Sequence, residues 1–208
     1  ALFLFSDHGD FTGDYGLVEK TQNTFEDCLC RVPFVIKPPA DRPCQPGVRD
    51  ALVELIDFPA TVEALTGIEP GHTHFGRSLL ELLAGETEAH RDAVFCEGGR
   101  LHGEVHCMEL QSKSYQNPEG LYYPRLAQQR KEGAEHTKTA MCRTREFKYV
   151  RRFYESDELY DLRSDPREEH NVIDDPAYAD IRDALADRML TWYMETADQV
   201  PHEPDRRE

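Results

Sequence analysis

Basic residues are scarce beside acidic ones: 24 Lys and Arg stand against 40 Asp and Glu, a formal charge of −16. Phosphate backbones and anionic lipid surfaces attract basic faces and repel acidic ones. This balance argues against a nucleic-acid partner and against docking on an anionic membrane. Long apolar runs are missing too. The longest, such as Leu2–Phe5 and Phe34–Ile36, fall far short of the roughly 20 apolar residues of a spanning helix. No C-x-x-C pair occurs, which argues against a structural zinc site. The six Cys permit a disulfide framework by parity, yet Cys28 and Cys30 stand too close to pair with each other. Free thiols in a reducing, cytoplasmic compartment are the expectation, with export left open. There is no initiator Met and no signal peptide, and the chain opens directly in a strand-like run. It reads as the back part of something longer.

What is present supports a packed fold. Hydrophobic residues make up 39% of the 208, enough for a core. Leu2–Phe5 and residues 33–37 read as buried strands, the second stopped by Pro38-Pro39. Asp57 caps a predicted helix with Pro59 in its first turn, Phe58, Val62 and Leu65 on one face, and Gly67 past its end. Ser78 to Leu83 suggests another short helix, and Ala93–Cys96 another strand. Residues 97–138 form a long polar stretch. Two hairpins follow, over 141–149 and 153–162. A last helix fits 176–197, with Asp175 as cap, Pro176 opening it, and a stripe of Tyr178, Ile181, Leu185, Met189 and Trp192. The fold class is therefore α/β over 1–91, then a small antiparallel sheet with a covering helix over 92–208.

Ser6-Asp7-His8-Gly9 follows the first strand directly. Ligands of open α/β sheets sit at such strand ends. Asp7 offers a hard oxygen and His8 a nitrogen, and both could reach one metal ion. Equally, Asp7 could cap a turn and His8 face solvent. Lys20 lies beyond the Gly-rich Gly13-Asp14-Tyr15-Gly16; it is either an ammonium folded back over the same site or a solvated surface group. The run Arg143, Arg145, Lys148, Arg151 and Arg152 either steers an anionic polymer or forms the wet face of a hairpin.

Taken in order, Ser-Asp-His-Gly, Gly13-Asp14-Tyr15-Gly16-Leu17-Val18-Glu19-Lys20 and residues 31–38 resemble the type I sulfatases of the alkaline phosphatase superfamily. Ile56-Asp57-Phe58-Pro59, Gly76-Arg77-Ser78-Leu79, residues 143–149 and Glu158-Leu159-Tyr160-Asp161-Leu162 continue the resemblance nearly to the last helix. The resemblance implies the C-terminal part of a mostly parallel α/β domain, followed by an antiparallel subdomain. It implies Asp7 and His8 as two ligands of a divalent metal, usually calcium, and Lys20 as a contact to the sulfate. It also implies a formylglycine nucleophile from a C-x-P-x-R motif near the family's N-terminus.

That motif is not met here. Cys44-Gln45-Pro46-Gly47-Val48 has Val where Arg is needed, and it follows the metal-ligand strand instead of preceding it. The chain is expected to lack the N-terminal part of its own catalytic domain, to be inactive alone, and to associate through an unpaired strand edge, as a homo-oligomer or an aggregate. His102 and His136, ahead of His106, are candidates for lining a substrate pocket, with solvent-facing His as the plainer reading. The expected substrate is a small-molecule or saccharide sulfate ester, a sulfated sugar by analogy. Two alternatives stand beside it. One is a phosphonate monoester hydrolase or phosphodiesterase of the same superfamily, favouring Mn or Zn. The other is a non-catalytic carbohydrate-binding module.

Overall fold

The structure is a computed structural model that describes residues 1–102, 104, 117–119 and 137–203. Among the described residues there are two sheets and four α-helices. Strand β1 (Leu2–Phe5) pairs antiparallel with β2 (Phe34–Lys37), in a register running from Leu2 opposite Lys37 to Phe5 opposite Phe34. The link between them holds a single 3-10 turn (Asp14–Gly16) and the short helix α1 (Asp27–Cys30), not the long crossover helix that parallel neighbours need. The fold is mixed α/β as expected, but these two strands run antiparallel.

Helix α2 (Asp57–Thr66) lies against one face of this ribbon. The Phe58 ring meets Phe3 at 4.9 Å and Phe5 at 5.0 Å. The opposite face is bare, so Leu2 and Leu4 are 55% and 62% exposed. The expectation of two buried strands is therefore not met: Phe3 is half-buried, Phe5 on the Phe58 side is still 39% exposed, and β2 alternates half-buried with exposed residues. Gly67 ends α2 in the left-handed region, φ 72°, as its sequence position suggests. Helix α3 (Leu80–Ala84) follows.

The second sheet is an antiparallel meander of β3 (Val94–Gly98), β4 (Thr139–Arg143), β5 (Phe147–Arg152) and β6 (Glu158–Asp161), paired in that order. The hairpin turns fall where polar residues cluster, at 144–146 and 153–157. Helix α4 (Ala179–Thr196) covers one face. Asp175 accepts the Ala177 N–H at 2.9 Å and starts the preceding turn, with Pro176 in its first position. The apolar stripe then buries Leu185 and Met189 against Phe95, Cys142, Tyr149 and Leu159. Trp192 stacks on Phe95 at 4.6 Å, nearly parallel.

Two buried ionic centres join these parts. Asp57 is not the helix cap its sequence position suggests. Its side chain is fully buried inside the first turn and works as a hub. Its carboxylate accepts the N–H groups of Glu54 at 2.9 Å and Arg77 at 2.8 Å, and His90 Nε2 at 3.1 Å. Arg91 adds two donors, Nε at 3.1 Å and Nη2. Arg91 also pairs with Glu54 at 3.1 Å, and Glu54 accepts the Phe95 N–H of β3 at 2.8 Å. Lys148 of β5 is the second centre. Its Nζ donates to both Glu168 oxygens at 2.8 and 2.7 Å, to Asp27 at 2.9 Å and to the Phe25 carbonyl at 2.7 Å. The wet-face reading of this basic run fails at Lys148, which is fully buried, and at Arg152, which pairs with Glu158 at 2.6 Å.

Burial alone would raise the Asp57 pKa, but the hydrogen bonds from His90 and Arg91 outweigh it and hold the carboxyl far below its usual range. Its folded pKa thus lies under the unfolded value of about 3.9. The stabilisation is complete above that pH and is lost as pH falls through the folded value. Asp57→Asn is expected to destabilise the fold by about 3–5 kcal/mol at pH 7 in urea unfolding, because Arg91 loses its buried partner. The gap between mutant and wild type should narrow below about pH 3.9. A constant gap from pH 7 to pH 2 would contradict this account. Lys148→Met leaves Glu168 without its cation and Asp27 with Arg143 alone, and should likewise cost about 3–5 kcal/mol in the same measurement.

Candidate active site

The site is built at the end of β1. After Phe5 the backbone turns. Ser6 Oγ donates to the His8 carbonyl at 2.7 Å, and the His8 N–H donates to Asp7 Oδ1 at 3.0 Å. Gly9 then drives the chain against α1, its N–H donating to the Leu29 carbonyl at 2.8 Å. A Cβ at Gly9 would stand 1.9 Å from the Cys28 carbonyl oxygen, so no other residue fits. The close approach anchors the two residues before it.

His8 Nδ1 lies 2.8 Å from the Gly9 carbonyl. A carbonyl only accepts, so Nδ1 carries the hydrogen and Nε2 presents its lone pair. Nε2 faces Asp7 Oδ2 at 3.8 Å, and the Asp7 side chain is 85% exposed. One carboxylate oxygen and one imidazole nitrogen, the latter fixed by a carbonyl behind it, are a donor set suited to a divalent cation. They are two ligands and no more. Among the described residues, the His/Cys/Asp/Glu grouping of three that converges elsewhere is Asp165, Glu169 and His170. There Asp165 already accepts the N–H groups of Glu169 and His170.

Lys20 lies beyond a small loop closed by the Thr12–Val18 bridge and by the Glu19 N–H to the Phe11 carbonyl at 3.0 Å. Its Nζ is 3.8 Å from Glu19 Oε1, and its side chain is 39% exposed. The residues after it are docked on the second sheet. The Gly99 N–H donates to the Gln22 carbonyl at 2.9 Å, and Arg152 Nη1 to the Asn23 carbonyl at 2.9 Å. Asp7, His8 and Lys20 open onto one groove of about 1140 Å³. All three stand along the wall of this long groove.

Arg31, Arg49, Arg143 and Arg145 line the same groove. Arg49 is held by the Leu82 carbonyl at 3.2 Å and the Gln45 carbonyl at 2.7 Å, and Arg143 by Asp27 at 3.0 Å. Arg31 and Arg49 were not singled out from the sequence; a lone Arg before a strand or in a Pro/Gly loop carries no pattern. His102 is not in the groove. It is exposed and stacks on Tyr154 at 4.4 Å. His106 and His136 fall outside the described residues.

With this geometry in view, the comparisons with known proteins fall into one group. The family model for N-sulphoglucosamine sulphohydrolase, C-terminal, matches residues 99–195. The uncharacterized sulfatase YidJ of Escherichia coli (strain K12) is 29% identical over 187 residues, 90% of this chain and 31% of its own length. A 2-O GAG sulfatase structure superposes with a TM-score of 0.70 at 23% identity, over 94% of this chain and 36% of its own. The phosphonate monoester hydrolase of Silicibacter pomeroyi gives a TM-score of 0.68 at 26% identity, over 93% of this chain and 34% of its own.

The chain is similar to the C-terminal part of sulfatases of the alkaline phosphatase superfamily. It spans about a third of the length of these relatives. In this chain the Asp-His pair depends on Gly9 for its position. Gly9→Ala should therefore shift the His8 ring proton resonances and lower the urea midpoint. An unchanged His8 spectrum would show that the loop does not rest on α1.

Proposed function

We propose that this chain works in a sulfuric ester hydrolase, where Asp7 and His8 supply two ligands of a Ca²⁺ ion and Lys20 holds an oxygen of the sulfate. What supports this reading is that Asp7, His8 and Lys20 all line one groove, with Nε2 of His8 turned toward Asp7. A divalent cation bound there would neutralise negative charge on the ester oxygens. Lys20 adds a point charge that needs no fixed orientation, which suits an oxygen that gains charge as the S–O bond breaks. Gly9 and α1 keep the Asp-His pair from drifting. The arginines of the groove wall bring an anionic ester toward it, despite the acidic chain as a whole.

The substrate in this reading is a sulfated sugar. The support is the likeness to a 2-O GAG sulfatase and to a family model for an N-sulphoglucosamine sulphohydrolase. The nucleophile is not among these residues, since Cys44 has no Arg at the required place, and the proposal makes the chain inactive by itself. The likeness to a phosphonate monoester hydrolase supports a second reading, with Mn²⁺ or Zn²⁺ on the same two ligands.

In the protein that carries this chain, an aryl sulfate should turn over faster than an aryl phosphonate ester. Lys20→Ala should lower kcat/KM about 100-fold, the usual cost of one charge-stabilising donor. Calorimetric titration should detect Ca²⁺ binding that Asp7→Ala abolishes. Faster phosphonate turnover with Mn²⁺ dependence would select the second reading. An unaffected Asp7→Ala and Lys20→Ala pair would sink both.

A further inference from the structure

Cys30 and Cys96 take no part in that chemistry, yet they meet in the wall of the same groove. Cys30 is the last residue of α1, and Cys96 is the middle residue of β3. Both pack against one small buried cluster of Phe25, Met141 and Val150, and Met141 is the direct cross-strand neighbour of Cys96. Both thiols are free, and each is the leading influence on how tightly the other holds its proton. Two free thiols from elements far apart in sequence, packed on one small cluster and lining one groove, are neighbours that a disulfide could join.

We propose that Cys30 and Cys96 form a redox-sensitive pair that closes to a disulfide by exchange with a low-molecular-weight disulfide such as oxidised glutathione. Cys96 begins the reaction. The neighbouring Cys30 thiol, against the cost of burial, draws the Cys96 pKa below that of an ordinary thiol. The same contact, with burial, holds the Cys30 proton more tightly. The Cys96 thiolate attacks one sulfur of the small disulfide, the S–S bond breaks, and one thiolate leaves as the mixed disulfide forms on Cys96. Cys30 then loses its proton, attacks Sγ of Cys96 and expels the second small thiol. Two protein thiols and one small disulfide thus become one protein disulfide and two small thiols.

The bond would tie α1 to β3. The Leu29 carbonyl of α1 holds the Gly9 N–H, so the bond would also fix the backbone on which Asp7 and His8 rest. It closes the whole segment from β2 through α3 into one loop, which restricts the unfolded chain. This inference does not depend on the sulfatase reading, because it concerns thiols alone.

The test incubates the purified chain with oxidised glutathione, blocks remaining thiols under denaturing conditions and maps the peptides without reduction. The expected product is a linked Cys30–Cys96 peptide, with a raised thermal midpoint that dithiothreitol reverses. Cys30→Ser should stop at a glutathione adduct on Cys96, with no rise in midpoint. Two blocked thiols at these positions, or a separate glutathione on each, would overturn the proposal. The wild-type peptide map decides the matter even where the Ser variant folds poorly.

Discussion

A single buried ammonium ties the groove to the rest of the molecule. Lys148 has no exposed side-chain surface, and a charge in that position is tolerable only when it is surrounded by acceptors. It has four of them, two on Glu168 and one each on Asp27 and Phe25. They come from the loop after β6, from α1 and from Phe25, two residues before it. Burial pushes the Glu168 carboxyl up, and the nearby cation does not fully reverse this. Burial acts on Asp27 as well, but Lys148 and Arg143 together draw its pKa down. One cation and one arginine therefore hold two carboxylates of unequal character. The joint cannot lose a member without stranding a charge.

The consequence reaches the site through backbone, not side chains. Asp27 opens α1, and the Leu29 carbonyl of α1 receives Gly9. The Asp-His pair thus rests on a helix that the second sheet holds in place. Lys20 depends on the same sheet by another route, through the docking of Gln22 and Asn23 on Gly99 and Arg152. Neither anchor touches a substrate. Both explain why groove-lining groups from the first forty residues keep their places relative to the later part of the chain.

The sequence makes the local elements legible because their signals are local. The stripe on α4, the Asp175-Pro176 start, the Gly67 end of α2 and both hairpin turns depend on neighbours a few residues apart, and each stands where its pattern puts it. Asp7, His8 and Lys20 were legible as a motif, and the structure brings them to one groove. Long-range charge pairing was not legible. Lys148 and Arg151 look alike in a run of basic residues, yet one is buried and the other is 60% exposed at its side chain. Only the partner's position in space separates them. Asp57 misleads for the same reason: an Asp at a helix start reads as a cap until Arg91 and His90 arrive from the far side of α3. His102 stands apart from the groove because its neighbour is Tyr154, on the far hairpin.

The two ionic hubs also say what kind of joint unites the layers. Among the described residues, both buried apolar clusters sit on the four-stranded sheet, one under α4 and one under Phe25. The β1–β2 ribbon has Phe58 on one face and solvent on the other. Its attachment runs through α2, whose Asp57 joins Arg91 just before β3, and through α1, whose Asp27 joins Lys148 in β5. An apolar seam would slide with little change in energy, because dispersion is not directional. A bidentate guanidinium–carboxylate pair has one good geometry. Joints of this kind fix the position of the ribbon more tightly than they stabilise it, and position is what a loop carrying paired ligand residues at a strand end requires.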